Sequence, residues 1–337
     1  MLPSLLEQLA AGRDLSRQQM AAAIDAIMRG ECAEPQIAQL LTLLRTKVET
    51  VAELAGAADA MRHHMTPIRC RHRVLIDTCG TGGDASGTFN ISTAAALVTA
   101  AAGVPVAKHG NRGITSRSGS ADVLATLGVN IQADVAQVEQ CLDQLGVCFC
   151  FAPLLHPSMQ HVAAVRRKLG GRTIFNLLGP LCNPASAPFQ LLGAGAPNLR
   201  PLLAEALALL DTERSLVVCG DDGLDEVTLA GGTRVTEVAS GQTRQWTWTP
   251  EEFGLRRAGI EPLRVDGAAA SARLIQQVLD GNSGPPRDIV VLNAAAALWT
   301  VGAEPSPSAC AARAALALDS GAARELLSRL VRLSHVG

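Results

Sequence analysis

The 337-residue chain contains no tyrosine and only 3% aromatic residues, which leaves few rings on which nucleic-acid bases could stack. Charged residues make up 18% and the formal net charge is −2. Without long blocks of like charge, the composition argues against disorder and offers no electrostatic footprint for nucleic acid. No uninterrupted apolar run approaches the ~20 residues of a membrane span, and the N-terminus, with Glu7 and Arg13 as its early charges, lacks the pattern of a signal peptide. The expectation is a cytoplasmic protein with neither membrane nor nucleic acid as a partner. Nine cysteines are scattered without a CxxC pair, against a zinc site or disulfide framework. Most fall in apolar runs and read as buried free thiols in a reducing compartment.

The hydrophobic content is 48%, enough at this length for two domains and a large core. The chain is organised around residues 77 to 122. Val74-Leu-Ile76 reads as a short buried strand leading into Gly80-Thr-Gly-Gly-Asp84, then Asn90-Ile-Ser-Thr93 and an Ala-rich helix ending at Gly103. Glycines let backbone N–H groups approach a phosphate, and a helix start offers free donors and a favourable dipole. Asn90 can cap that helix, while Thr88, Ser92 and Thr93 add hydroxyls. Taken alone, this loop fits a tight turn and a capped helix better than an anion site. The layout repeats: Val104 to Ala107 reads as a strand, followed by a loop from Lys108 to Ser120 and a helix from about Ser120 to Leu127. Two anion-ready loops then face one edge, with Lys108 and Arg112 supplying positive charge. His109 is equally a hydrogen-bond donor or a satisfied polar residue. The spacing matches neither a P-loop nor GxGxxG.

The first 66 residues read as helices with apolar stripes: Leu5, Leu6 and Leu9; a capping box Ser16/Gln19 before Met20, Ile24 and Ile27; Ile37, Leu40, Leu41 and Leu44; and a box Thr50/Glu53 opening Val51 to Met61. Pro67 to Arg73 is a basic connector. Strand and helix alternate beyond it through Val129-Asn-Ile131, a helix capped by Asp134 and ending at Gly146, and the run Val147 to Phe151, the pattern of an α/β parallel sheet. From Pro153 to Pro188 it breaks, and Arg166-Arg-Lys168 reads on charge alone as a solvated helix face. Ser215 to Cys219 is a strand ending at Gly220-Asp-Asp-Gly-Leu-Asp-Glu226, either a hydrated turn or a site for a hard cation. Thr249-Pro-Glu-Glu252 reads as a helix start, Asp288 to Leu292 as a strand and Ala322 to Val331 as an amphipathic helix. Residues 230 to 337 show no chemistry.

The set GTGGD, NIST, KHGNR and SGSADVL, in this order, resembles the anthranilate phosphoribosyltransferases. The match continues through Phe151-Ala-Pro153, His156-Pro157, Val165-Arg-Arg167, Arg172 to Leu181, Asn183-Pro184 and Gly223-Leu-Asp-Glu226. The resemblance implies a small helical domain, residues 1–66 joined by part of about 160–184, and a larger α/β domain with a mainly parallel sheet, residues 73–159 and 185–337. It implies a homodimer through the helical domain and transfer of the ribosyl group of phosphoribosyl pyrophosphate to the amine of anthranilate, with two Mg²⁺ ions. In that scheme Gly80, Gly83, Asp84, Thr88, Asn90, Ile91, Ser92, Thr93, Lys108, His109, Gly110, Asn111, Arg112, Ser116 and Ser120 hold phosphoribosyl pyrophosphate. Gly80, Asn111 and Arg166 hold anthranilate. Asp225 and Glu226 bind Mg²⁺, with Ser92 contributing to a second ion. No residue is assigned as a general base, and His109 is a candidate for positioning only. The sequence departs from the family at Gly113-Ile-Thr115 and at Leu154-Leu155, which leaves tolerance of substituted anthranilates open. A pyrimidine nucleoside phosphorylase, the same-fold competitor, would need a nucleoside signature that is missing. A non-enzymatic nucleic-acid binder conflicts with the intact acidic and Gly-rich motifs.

Overall fold

The computed structural model describes residues 1–113 and 118–336. Four helices open the chain: α1 Leu2–Ala10, α2 Arg17–Met28, α3 Glu34–Lys47 and α4 Val51–His63. The boxes read from the sequence form. Ser16 and Gln19 exchange bonds at the start of α2, and Thr50 and Glu53 at the start of α4. Glu53 does more than cap. Its buried carboxylate also accepts Leu15 N at 2.9 Å and Lys47 Nζ at 3.0 Å, tying three segments of the bundle. Gly56 is required where α2 crosses α4, because a Cβ there would run into the Arg17 carbonyl.

The second part alternates β1 Ile76–Gly80, α5 Ile91–Ala101, β2 Val106–Gly110, α6 Ser120–Thr126, α7 Val135–Leu145 and β3 Val147–Phe151. After the single turn α8 Ala152–Leu155 come α9 Gln160–Leu169 and α10 Ile174–Leu178. These two return to the bundle, burying Val162, Val165, Ile174, Leu177 and Leu178 in one core with α2, α3 and α4. Then β4 Phe189–Gly193, α11 Leu199–Ala208, β5 Arg214–Gly220, β6 Thr233–Ala239 and β7 Gln242–Trp248 complete the sheet. Four helices close the chain: α12 Ala268–Leu279, α13 Pro285–Thr300, α14 Pro307–Asp319 and α15 Ala322–Leu333.

The seven strands lie in the order β3-β2-β1-β4-β5-β6-β7, with β1 to β5 parallel and β6 and β7 antiparallel. Alternate residues face opposite sides. Leu191, Leu216 and Val218 join the core under α5 and α13, whereas Leu192 and Val217 join the core shared by α11 and the helical bundle. Connections leave β1 in one direction toward β2 and β3, and β4 lies on its other side. The C-terminal ends of β1 and β4 are therefore the point where an open α/β sheet leaves a crevice.

Several expected elements differ. The strands read at 74–76 and 104–107 sit later, over Ile76–Gly80 and Val106–Gly110, because register against β4 and β3 continues through Gly80 and Gly110. Lys108 and His109 are thus strand residues, and both are buried. Val129 to Ile131 is no strand: the two apolar side chains are buried while Asn130 bonds Ser334. Asp288 to Leu292 lies inside helix α13, which buries nearly its whole circumference and so shows no polar stripe by which to distinguish it from a strand. The box at Thr249 and Glu252 encloses only one 3-10 turn, ended by Gly254 at φ 74°.

Candidate functional site

A cavity of about 950 Å³ opens at the β1/β4 crevice, between the sheet edge and the helical segment formed by α9 and α10. Its floor is the loop after β1. Gly82 and Gly83 adopt φ of 64° and 82°, which turn their backbone N–H groups without steric penalty. Thr81 N donates to Gly193 O at 2.9 Å and Gly195 N donates to Thr81 Oγ1 at 2.9 Å, fastening this loop to the end of β4. Gly80 admits Asp225: a Cβ on Gly80 would lie 2.6 Å from Asp225 Oδ2.

The acidic pair comes from the turn after β5. Gly82 N donates to Asp225 Oδ2 at 3.0 Å, and Ser92 N donates to Glu226 Oε1 at 2.9 Å. This replaces the cap expected of Asn90. Asn90 is the residue preceding α5, but its side chain makes no capping bond. The first turn of the helix is served instead by a carboxyl oxygen of Glu226, which accepts the Ser92 N–H at the positive end of the helix dipole. Burial pushes both acids above their usual range, and the neighbouring carboxyls, Asp84 beside Asp225 and Asp225 beside Glu226, push the same way. Lys108 offsets part of this. Its ammonium donates to Thr78 O and, at 3.2 Å, to Ser92 Oγ.

These acids and one hydroxyl fit a hard divalent cation. Among the described residues no cluster of three or more His, Cys, Asp or Glu is arranged as a metal cage. The donor set therefore suits Mg²⁺, which takes one or two carboxylates and fills its shell with water and phosphate oxygens. The half-buried carboxyls of Asp225 and Glu226, pushed up by burial and by neighbouring acids, gain most from such an ion, because it favours their charged form.

On the opposite wall His109 Nδ1 is 2.9 Å from Gly179 O, and His109 Nε2 is 3.2 Å from His156 Nε2. A carbonyl only accepts, so Nδ1 of His109 carries the proton and its Nε2 lone pair faces His156 Nε2. Burial pushes His109 down to about 3, with His156 adding to the effect, and burial pushes His156 down to about 4. Both rings are neutral near neutral pH, and both nitrogens of His109 are engaged. His156, in the HP pair after β3, joins the site although the site expectations do not include it.

Arg166, on α9, stands 5.5 Å over the Phe175 ring and approaches Asn176 Oδ1 at 3.4 Å. Burial lowers its pKa, and among the described residues no carboxylate pairs with it. The solvated face expected from the charge run holds for Lys168, which pairs with Glu34 at 2.6 Å. Of the other expected residues, Asp84, Thr88, Ile91, Gly110, Asn111 and Ser120 line the same cavity. Arg112 also lines it, but its guanidinium is tied to Asp122 at 2.9 Å. Thr93, in the first turn of α5, is not brought there: its hydroxyl is buried and among the described residues has no hydrogen-bond partner. Ser116 and Thr115 lie outside the described residues. Leu154 is exposed and Leu155 buried. Cys79 reaches the cavity, but burial raises its thiol well above the ordinary value, against a nucleophilic role.

Residues 3–65 match the glycosyl transferase family, helical bundle domain, and residues 72–324 match the glycosyl transferase family, a/b domain. The anthranilate phosphoribosyltransferase of Rhodopirellula baltica is 52% identical over 319 residues, 95% of this chain and 93% of that one. The crystal structure of the enzyme of that name from Thermus thermophilus superposes with a TM-score of 0.92 at 43% identity, covering 98% of this chain and 99% of that one. The Saccharomyces cerevisiae protein of the same name, in complex with PRPP and Mg, superposes at 0.91 with 28% identity, covering 99% and 97%.

Proposed function

The chain belongs to the anthranilate phosphoribosyltransferase family, and we propose how its cavity performs the reaction of that family. The protein transfers the phosphoribosyl group of phosphoribosyl pyrophosphate to the amine of anthranilate, giving N-(5-phosphoribosyl)anthranilate and pyrophosphate in tryptophan biosynthesis. Phosphoribosyl pyrophosphate lies over the Gly80 to Ser92 loop, with Lys108, Asn111 and Ser120 completing its anion contacts. Asp225 and Glu226 hold Mg²⁺, and Ser92 serves a second ion. Mg²⁺ neutralises charge on the pyrophosphate as it departs.

The one observation that carries the acceptor assignment is Arg166: a partly desolvated guanidinium without a carboxylate partner among the described residues, in the same cavity as the anion loop. A planar donor pair fits the anthranilate carboxylate. Held there, the ring amine faces the anomeric carbon, and the rate comes from fixing that approach and from stabilising the leaving pyrophosphate. His109 acts by position. With Nδ1–H spent on Gly179 O, Nε2 facing His156 and burial pushing the ring down to about 3, His109 is a poor acceptor for the proton of the amine.

We further propose that the protein acts in the cytoplasm as a homodimer through its helical domain, residues 1–66 with part of about 160–184, against an α/β domain of 73–159 and 185–337. Light scattering that gives the monomer mass at micromolar concentration would remove the dimer. The reaction is tested by loss of anthranilate fluorescence on mixing protein with phosphoribosyl pyrophosphate. A Mg²⁺-dependent loss with release of pyrophosphate is expected, and no loss by folded protein with Mg²⁺ present would overturn the assignment.

A further inference from the structure

Residues 230 to 337 show no chemistry in the sequence, yet one buried hydroxyl from this region reaches the anion loop. The chain from Leu263 to Val265 runs alongside it: Phe89 N donates to Leu263 O at 2.8 Å, and Val265 N donates to Gly87 O at 2.9 Å. Gly267, at φ 143°, then turns the backbone into α12. In the first turns of that helix Ser271 is fully buried. Its Oγ accepts the Asn90 backbone N–H at 3.0 Å and donates to Asn90 Oδ1 at 2.9 Å.

Ser118 Oγ donates to the same Oδ1 at 2.9 Å, and Asn90 Nδ2 donates to Ser118 O at 3.4 Å. A backbone carbonyl only accepts, so this last contact identifies the nitrogen end of the amide. Two hydroxyls fill the lone pairs of Oδ1. One Nδ2 hydrogen goes to Ser118 O, which leaves the other for an occupant of the cavity that Asn90 lines.

We propose that Ser271 is a positioning residue for phosphoribosyl pyrophosphate, acting through Asn90. The inference rests on the reading of the cavity given under Proposed function. An Asn just before a helix ordinarily swings its side-chain oxygen onto the N–H groups of the first turn. The Ser271 hydroxyl competes with that swing, because it holds both the backbone N–H and the Oδ1 of Asn90. Without it the Asn90 backbone N–H loses its acceptor and Ser118 alone holds Oδ1, so the amide is no longer fixed with its Nδ2–H aimed into the cavity.

The test measures phosphoribosyl pyrophosphate binding by calorimetry, steady-state kinetics and thermal melting for the wild type, Ser271→Ala, Asn90→Ala and the double variant. Ser271→Ala is expected to raise Kd and KM for phosphoribosyl pyrophosphate about tenfold, the size of one lost hydrogen bond to a ligand-facing group. KM for anthranilate stays within about twofold. In the Asn90→Ala background Ser271→Ala adds nothing further, since its route is already cut. Unchanged binding in Ser271→Ala, a cost that multiplies in the double variant, or an equal rise in both KM values with a lowered Tm would each overturn the proposal. If Ser271→Ala does not fold, Ser271→Cys carries the same comparison, because a thiol preserves the volume and weakens the bond. A wild type that binds no phosphoribosyl pyrophosphate would instead fail the reading of the cavity, and the inference with it.

Discussion

Glu226 Oε1 accepts the backbone N–H of Ser92 at 2.9 Å, so an acid that follows β5 caps the helix that follows β1. The contact makes the acidic turn and the anion loop one unit, and it keeps a second half-buried carboxyl beside Asp225. Asp225→Asn combined with Glu226→Gln should lower kcat by about 100-fold or more, since the cation site loses both charges. The same variant should melt higher than the wild type in EDTA, because two half-buried adjacent acids whose pKa values are raised are unfavourable when ionised. Added Mg²⁺ should stabilise the wild type and leave the variant unmoved. Melting curves with and without Mg²⁺ check both statements.

Among the described residues Arg166 pairs with no carboxylate that it would have to release before it meets a ligand. Arg166→Ala should therefore raise KM for anthranilate by about 30- to 100-fold, the range of a charge-assisted bidentate bond. KM for phosphoribosyl pyrophosphate should change little. Arg166→Lys should recover only part of the loss, because an ammonium cannot make the planar paired contact. Initial-rate kinetics with each substrate varied in turn separate these outcomes.

Gly80 faces Asp225 at a distance that leaves no room for a methyl group. Gly80→Ala should push the Asp225 carboxylate away from Gly82 N and raise the Mg²⁺ concentration needed for half-maximal rate. A titration of rate against Mg²⁺ reads the effect, and an unchanged midpoint would detach Asp225 from the cation.

His109 and His156 are held neutral by burial, with Lys108 adjoining His109 and Asp77 accepting His109 N at 3.1 Å. The unfolded rings take protons near the ordinary 6.5, whereas the folded ones resist until about 3 and 4. Between these values the unfolded chain binds more protons. The contribution of the pair to stability is therefore complete above about pH 6.5 and is lost as pH falls toward 4. The slope from each ring is at most about 1.4 kcal/mol per pH unit. His156→Asn should flatten the decline by about 1 kcal/mol per pH unit, as read from denaturant unfolding at pH 7, 6 and 5.

Residue type and spacing alone carried the local structure: the boxes at Ser16/Gln19 and Thr50/Glu53, the glycine-rich turn after β1 and the acidic turn after β5, whose roles came only with the resemblance. Each is short-range, because caps and tight turns are made by residues a few positions apart. Motif order was enough for the family. Strand limits at Gly80 and Gly110, the helix over Asp288 to Leu292 and the release of Asn90 from its cap were decided by the tertiary structure, since pairing register and burial depend on residues distant in sequence. The same holds for the site. Asp225 meets Gly82 across 143 positions, His156 meets His109 across 47, and Ser271 meets Asn90 across 181. No local pattern encodes such meetings; they exist because parallel strands bring their C-terminal ends to one edge, where loops from separate parts of the chain share a single desolvated space.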